Sequence, residues 1–287
     1  MFFVAGITGQ VGGATARTLL EQGFGVRALV RDPRKAVDWA ARGVEVRCGD
    51  LTDSKAVAAA LAGVEGAFLM QPTPTGVTRD FVLAHALTDS IVAALRDTPP
   101  PRLAVLSSVG SERASGLGNV TQTHLFEEAL KAFSFPIAVV RAGSLLENYL
   151  FSATRAGETG VFESFLQPVD RGFPMTATKD VGAEIARLLI QGWAGRRIVE
   201  VGSHYSPDDL ARAMATVLGK PVVASAIPRH AWGAVLAHMG LSPEQAANWE
   251  EMQDGFNLGW LDFGVAGTES VPGSTTPKAV FAQEPRE

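Results

Sequence analysis

Gly6-Ile7-Thr8-Gly9-Gln10-Val11-Gly12 follows the apolar run Phe2-Phe3-Val4-Ala5 and leads into a helical pattern of Val11, Ala14, Thr18 and Leu19. Strand, glycine-rich turn and helix in that order decide the fold. The turn needs glycine because the chain reverses tightly, an anion must come close to backbone amides, and the helix must lie close on the strand. First-turn amides have no partner inside a helix, and the helix dipole adds positive potential, so a pyrophosphate is held there without a lysine. The spacing predicts a dinucleotide site whose contacts are Gly6, Thr8, Gly9, Gln10, Val11 and Gly12. The alternative is a glycine-rich turn of purely structural role.

Outward from this loop, short apolar runs at 25–30, 44–48, 66–70, 103–106 and 137–140 read as further strands, and amphipathic segments separate them. One helical face holds Phe81, Ala84, Ile91, Val92 and Leu95, another Leu125, Phe126, Ala129, Leu130 and Phe133. Alternation of this kind predicts an α/β fold, a Rossmann-type doubly wound parallel sheet with a smaller C-terminal substrate-binding region. Residues 1–143 form the expected nucleotide-binding core, 144–175 a substrate-facing elaboration, 176–202 a return to the core, and 203–287 the smaller region and a tail. Asp180 is placed to open a helix that runs to Ile190. A strand at 198–201 precedes Ser206-Pro207-Asp208-Asp209, which has the spacing of a helix N-cap, a first-position proline and a capping box. Gly, Pro, Ser and Thr dominate 268–278, which reads as a loosely held tail.

The 287 residues are 46% hydrophobic and 19% charged, enough apolar surface for a large core. Net charge is −5 and basic residues do not cluster, so a nucleic-acid partner is not expected. The lone Cys48 has no partner for an intrachain disulfide and is expected as a small buried hydrophobe. There is no basic leader and no apolar run of membrane-spanning length, so a soluble cytoplasmic protein with no membrane partner is expected. The five histidines form no HExxH and have no cysteine at zinc spacing, so no metal is expected; G-x-S-x-G is absent too.

The end of the second strand bears on the nucleotide. It reads Val30-Arg31-Asp32-Pro33-Arg34-Lys35. A carboxylate here suits the ribose hydroxyls of NAD, whereas a guanidinium suits the 2′-phosphate of NADP. Arg31 falls at the strand tip with Lys35 near it, which favours NADPH over NADH. The alternative leaves Arg31 and Lys35 as solvated charges and gives ribose recognition to Asp32. After the third strand, Asp50 and Leu51 are assigned to the adenine. Met70, Gln71 and Pro72 after the fourth strand and Ser107 after the fifth are assigned to the rest of the cofactor.

The GxTGxxG loop, 28–33, Gly49-Asp50-Leu51, Arg141-Ala142-Gly143 with Glu147-Asn148, Thr178-Lys179-Asp180-Val181-Gly182 and the stretch 255–260 together resemble the NmrA-like branch of the atypical short-chain dehydrogenases/reductases. The resemblance spans most of the chain. It implies NAD(P)(H) binding, with members divided between reductases of quinones, triarylmethane dyes or phenylpropanoids and redox-sensing regulators without turnover. The Tyr-x-x-x-Lys pair of the wider superfamily is absent: Tyr149 and Tyr205 are followed four residues on by Ala153 and Asp209.

Where that tyrosine would lie, the helix reads Thr121-Gln122-Thr123-His124-Leu125-Phe126-Glu127-Glu128. His124 is the candidate proton donor and Glu128, one turn on, the candidate orienting group. The alternative makes His124–Glu128 and Glu127–Lys131 surface pairs. Thr73, Ser108, Asn148, Tyr149 and Phe151 are assigned to substrate, with Phe162, Phe165, Phe173 and Met175 as an apolar cover. The expected activity is an NADPH-preferring oxidoreductase that transfers hydride to a small conjugated, quinone-like acceptor. The other reading is a non-catalytic NADP(H) sensor acting through a protein partner. A homodimer is left open.

Overall fold

The computed structural model describes residues 1–74 and 76–283; the last four residues of the expected C-terminal region lie outside the described residues. The first half of the chain alternates strand and helix: β1 (Phe2–Ala5), α1 (Gln10–Glu21), β2 (Val26–Val30), α2 (Val37–Ala41), β3 (Glu45–Cys48), α3 (Ser54–Leu61), β4 (Gly66–Leu69), α4 (Val82–Asp97), β5 (Leu103–Ser108), α5 (Thr121–Leu130) and β6 (Ile137–Ala142). The second half is β7 (Ser144–Leu145), α6 (Leu150–Thr159), β8 (Val161–Ser164), β9 (Phe173–Thr176), α7 (Thr178–Gln191), β10 (Arg196–Tyr205), α8 (Pro207–Leu218), β11 (Val223–Ala226), α9 (Trp232–His238), α10 (Pro243–Leu258), β12 (Glu269–Pro272) and α11 (Pro277–Phe281).

The main sheet has the order β3-β2-β1-β4-β5-β6-β10-β9-β7, with β12 joined to β10. Its pairs are parallel apart from β9, which runs antiparallel to β10. Helices cover both faces. Phe2, Val4, Val11, Val181 and Ile185 share one core with α1 and α7, while Phe3, Val57, Leu61, Ile91, Leu95, Phe126 and Leu130 share the other with α3, α4 and α5. Burial on both faces explains why β1 and β4 read as unbroken apolar runs rather than alternating ones. The strand order reverses direction between β1 and β4, and a crevice opens beyond the carboxyl ends of strands at such a switch point. The third core packs Leu146, Phe162, Phe173, Met175, Leu210, Met214 and Phe281 in the C-terminal half.

The predicted capping box is present: Ser206 Oγ accepts the Asp209 amide at 3.1 Å and Asp209 Oδ2 accepts the Ser206 amide at 2.8 Å, with Pro207 at the first helical position.

Several expectations are corrected. The 268–278 segment is tied down rather than loose: β12 pairs in parallel with β10, and α11 buries Val280 and Phe281 in the third core. Asp180 does not open its helix. α7 starts at Thr178, whose amide and hydroxyl donate to Glu147, while Asp180 accepts the amides of Ser274 and Thr275 at 2.8 Å each and both their hydroxyls. Cys48 is exposed, because the edge strand β3 has one neighbour and little covers its end. Phe162, Phe173 and Met175 are interior core residues and Phe165 stacks edge-on against Trp232 and Trp249, so these four do not form a cover over a pocket.

Asp180→Ala is expected to lower stability by about 2 kcal/mol, the scale for losing hydrogen bonds to a charged acceptor. Amide hydrogen exchange should accelerate across 269–281 before the parallel core responds. Unchanged protection of that segment would show that Asp180 does not hold it.

Candidate active site

The glycine-rich loop lies where β1 ends. Gly6 has φ +64°, and a Cβ there would meet Met70 Sδ at 2.8 Å. The Gly9 amide donates to the Gly6 carbonyl at 2.8 Å and closes the turn. At Gly12 a Cβ would sit 2.3 Å from the Gly6 oxygen and 2.5 Å from the Ala5 oxygen, so α1 rests directly on the end of β1. Helix α1 begins at Gln10, and its N-cap residue Gly9 offers no side chain to the first-turn amides. Thr8, Gly9 and Gln10 are exposed, whereas the Val11 side chain is core and only its backbone is available to a ligand. Uncapped amides at the positive end of a twelve-residue helix, facing solvent, fit a pyrophosphate.

The tips of β2 and β3 stand side by side, joined by the Gly49 amide donating to the Val30 carbonyl at 3.0 Å. Asp32 is committed to Arg34. It accepts the Arg34 backbone amide at 3.0 Å and its guanidinium at 2.9 Å twice, and the side-chain bond followed by the backbone bond holds its carboxyl below the usual range. Arg31 is 84% exposed, its Nε 3.9 Å from Asp50 Oδ2. Asp50 accepts the amide and hydroxyl of Thr52 at 2.8 Å each, which lowers its pKa, the amide bond contributing most. Leu51 is half-buried and Lys35 exposed. The strand tip therefore presents Arg31, with Asp32 already occupied.

Beyond β4, Met70 is half-buried against Gly6, and Pro72 and Thr73 are exposed. Gln71 turns inward: its amide nitrogen donates to Ala84 O at 3.2 Å and Thr88 Oγ1 at 2.5 Å, pinning the start of α4. Asn148 is exposed on a 3-10 turn (Leu146–Tyr149). Tyr149 lies against Phe162 at 6.0 Å with its hydroxyl 3.2 Å from Ser144 Oγ, and burial pushes its pKa up. Phe151 is 82% exposed on α6.

Around α5 the charges are arranged differently from the spacing argument. Glu128 is exposed and pairs with Lys131 at 2.5 Å, which lowers its pKa, so it does not orient His124. His124 Nδ1 lies instead 2.9 Å from the Ser111 carbonyl. Glu127, weighed as a surface partner of Lys131, is buried: its Oε1 accepts the Ser107 hydroxyl at 2.5 Å and Arg141 Nε at 3.0 Å, and its Oε2 accepts Arg141 Nη2 at 2.8 Å. Ser107 is buried and Ser108 half-buried at the end of β5. Glu127 shares a helical stripe with Thr123 and Leu130, both buried, and that spacing is the signal the sequence reading passed over.

Among the described residues no cluster of His, Cys, Asp or Glu is arranged to hold a metal, and no helix is long and apolar enough to cross a membrane. A cavity of about 410 Å³ lies away from the loop, between α10 and Arg79, Gly116, Arg229 and Trp260, and charged side chains line much of it.

The family model described as the NmrA-like family matches residues 2–260. The chain belongs to the NmrA-like family. It is 27% identical to an NAD(P)H azoreductase of Xenophilus azovorans over 293 aligned positions, covering 99% of this chain and 96% of that one. It is 28% identical to quinone oxidoreductase 2 of Escherichia coli (strain K12) over 246 positions, covering 84% and 82%. Among solved structures, an NADPH-dependent quinone oxidoreductase of Escherichia coli complexed with NADPH superposes with a TM-score of 0.78 at 26% identity, covering 93% of this chain and 92% of that one. These likenesses extend over both halves of the chain, so the NmrA-like match and the parallel sheet describe one architecture.

The geometry ranks two substitutions in the loop. Gly12→Ala is expected to destabilise by about 2 kcal/mol or more through overpacking and to abolish nucleotide binding. Gly9→Ala, whose Cβ would lie 3.2 Å from the Gly6 oxygen, should fold and bind more weakly. Thermal denaturation with nucleotide titration checks the order; equal behaviour of the two variants would contradict it.

Proposed function

We propose that this chain is an NADPH-preferring reductase that delivers hydride to a small conjugated acceptor such as a quinone. The observation that carries the reading is the uncapped start of α1 behind the glycine-rich loop, with Arg31 presented at the neighbouring strand tip and Asp32 already bound to Arg34. The named activities of the azoreductase and the quinone oxidoreductase support the reaction class.

In this reading the amides of Gln10, Val11 and Gly12 hold the pyrophosphate, Arg31 with Lys35 meets the 2′-phosphate, and Asp50 and Leu51 border the adenine. Met70 and Pro72 border the remainder of the cofactor cleft, to which Gln71 and Ser107, their side chains buried and bonded to α4 and to Glu127, offer backbone only. Thr73, Ser108, Asn148, Tyr149 and Phe151 border the acceptor. Bound NADPH supplies the hydride, which converts a quinone to the hydroquinone monoanion, and one proton completes the product. His124 is the protein group assigned to that proton. Its Nδ1–H donates to the Ser111 carbonyl, so Nε2 is the nitrogen that takes a proton from water and passes it to the hydroquinone anion, the ring returning to its neutral Nδ1–H form. Tyr149 lacks the lysine four residues on that a short-chain-dehydrogenase tyrosine uses, Ala153 standing there instead.

Arg31→Ala is expected to weaken NADPH binding about tenfold or more, the scale of a lost charge-assisted hydrogen bond, and to leave NADH within about twofold. Calorimetric titration of both nucleotides reads this directly, and equal losses would remove the 2′-phosphate argument. His124→Ala is expected to lower kcat with a quinone roughly tenfold, water supplying the remaining protonation, with NADPH affinity unchanged. An unaltered kcat would exclude His124 as the donor.

A further inference from the structure

Three neighbouring strands bring Ser107 of β5, Arg141 of β6 and Glu200 of β10 side by side in register. Arg141 is 2% exposed at the centre of this row. Its Nε and Nη2 form a bidentate pair with Glu127, and its Nη1 lies 2.9 Å from Glu112 Oε2. Glu200 turns its Oε2 to the Gly264 amide at 2.7 Å. Burial works against the charged guanidinium, and the Glu127 bonds with the Glu112 and Glu200 charges more than offset it, holding its pKa above the usual value. A guanidinium in so dry a place costs several kcal/mol to desolvate, and an apolar residue of similar volume often fills such a space at lower cost.

Glu112 belongs to the loop that leaves β5, one residue after Ser111. That residue is 1% exposed and bound at both polar ends: its hydroxyl lies 2.8 Å from Thr123 Oγ1, and its carbonyl holds His124 Nδ1. A continuous chain of contacts therefore runs from the buried Arg141 through Glu112 and the Ser111 backbone to the imidazole on α5. Glu127 closes the circuit, since it joins α5 to the same guanidinium.

We infer that the Arg141–Glu112 ion pair is a positioning device that clamps the β5–α5 loop, so that the Ser111 carbonyl keeps the His124 proton on Nδ1 and leaves Nε2 as the exchanging nitrogen. A carbonyl only accepts, so its fixed location selects the tautomer, and the loop stays fixed because Glu112 is anchored to a group that cannot leave the core. Arg141 and Glu112 act through His124 and touch no reactant. The inference takes its functional meaning from the proposed reductase, while its physical content, the state of one imidazole, is measurable without turnover.

Arg141 is too deeply buried for its removal to be informative, because its loss strands Glu127 in the core. Glu112 is 28% exposed and sits in a loop, so Glu112→Ala is expected to fold. The experiment is long-range ¹H–¹⁵N correlation of the imidazole nitrogens at a pH where the ring is neutral, with the His124 signals assigned by their disappearance in His124→Gln. The wild-type protein should show His124 protonated on Nδ1; Glu112→Gln and Glu112→Ala, both of which remove the ion pair with Arg141 Nη1, should show protonation moved largely to Nε2. An Nε2-protonated His124 in the wild type, or an unchanged Nδ1 tautomer in Glu112→Ala, overturns the inference. With a quinone acceptor, Glu112→Ala should lower kcat roughly fivefold at unchanged NADPH affinity and add no further loss in a His124→Ala background. If His124→Ala alone leaves kcat unaltered, the proton-donor reading fails, and the ring nitrogens still decide the positioning.

Discussion

The contact between the first turn of α1 and the last carbonyls of β1 is the constraint on which the rest depends. Gly12 admits no side chain because Ala5 and Gly6 present their oxygens where a Cβ would stand. That approach places the start of the helix over the carboxyl end of β1, with its unsatisfied amides facing outward. A second close contact continues the same logic: Gly182 of α7 meets Ala14 and Thr15 of α1, where a Cβ would lie 2.5 Å from that of Ala14. Two helices are thereby packed side by side against the sheet, and the crevice at the β1/β4 switch point has a fixed, positively polarised wall.

Charge is used in two distinct ways around this wall. At the strand tips the ion pairs are solvated, and each adds little to stability. Their consequence is selective availability: Arg34 occupies Asp32, and Arg31 remains presented to solvent. Beneath the β5–α5 loop Arg141 and Glu127 are dry and hydrogen-bonded to each other, tying β6 to α5, and the guanidinium reaches the part-exposed Glu112 of the loop through an ion pair. Such a network costs desolvation and returns definition of geometry, which a reaction centre needs more than it needs stability.

Much of this was legible in the sequence, for local reasons. The glycine loop, the β1 to β6 strands and the Ser206–Asp209 capping box depend on residues within a few positions of one another, where spacing and conformation are directly coupled. The corrections come from distant partners. Ser274 and Thr275 look like loop residues until Asp180, more than ninety positions earlier, accepts their donors. Glu127 and Glu128 are adjacent acids; which one is buried depends on Arg141 across the sheet, and the buried stripe through Thr123 and Leu130 was the one local clue. The Ser111 carbonyl that holds His124 carries no sequence signal, because every residue has one. Phe162, Phe173 and Met175 were assigned to a pocket wall from composition, whereas the smaller C-terminal core needed them as its interior.

The central claim is that the α1 start, Arg31 and the β5–α5 loop assemble a reductase. The most direct test is air-free NADPH oxidation, followed by absorbance, with the purified protein and a panel of quinones and azo or cationic dyes. The account predicts saturable turnover with at least one quinone and a higher kcat/KM for NADPH than for NADH. Tight NADPH binding without turnover on any acceptor would contradict it and identify the same site as a cofactor sensor.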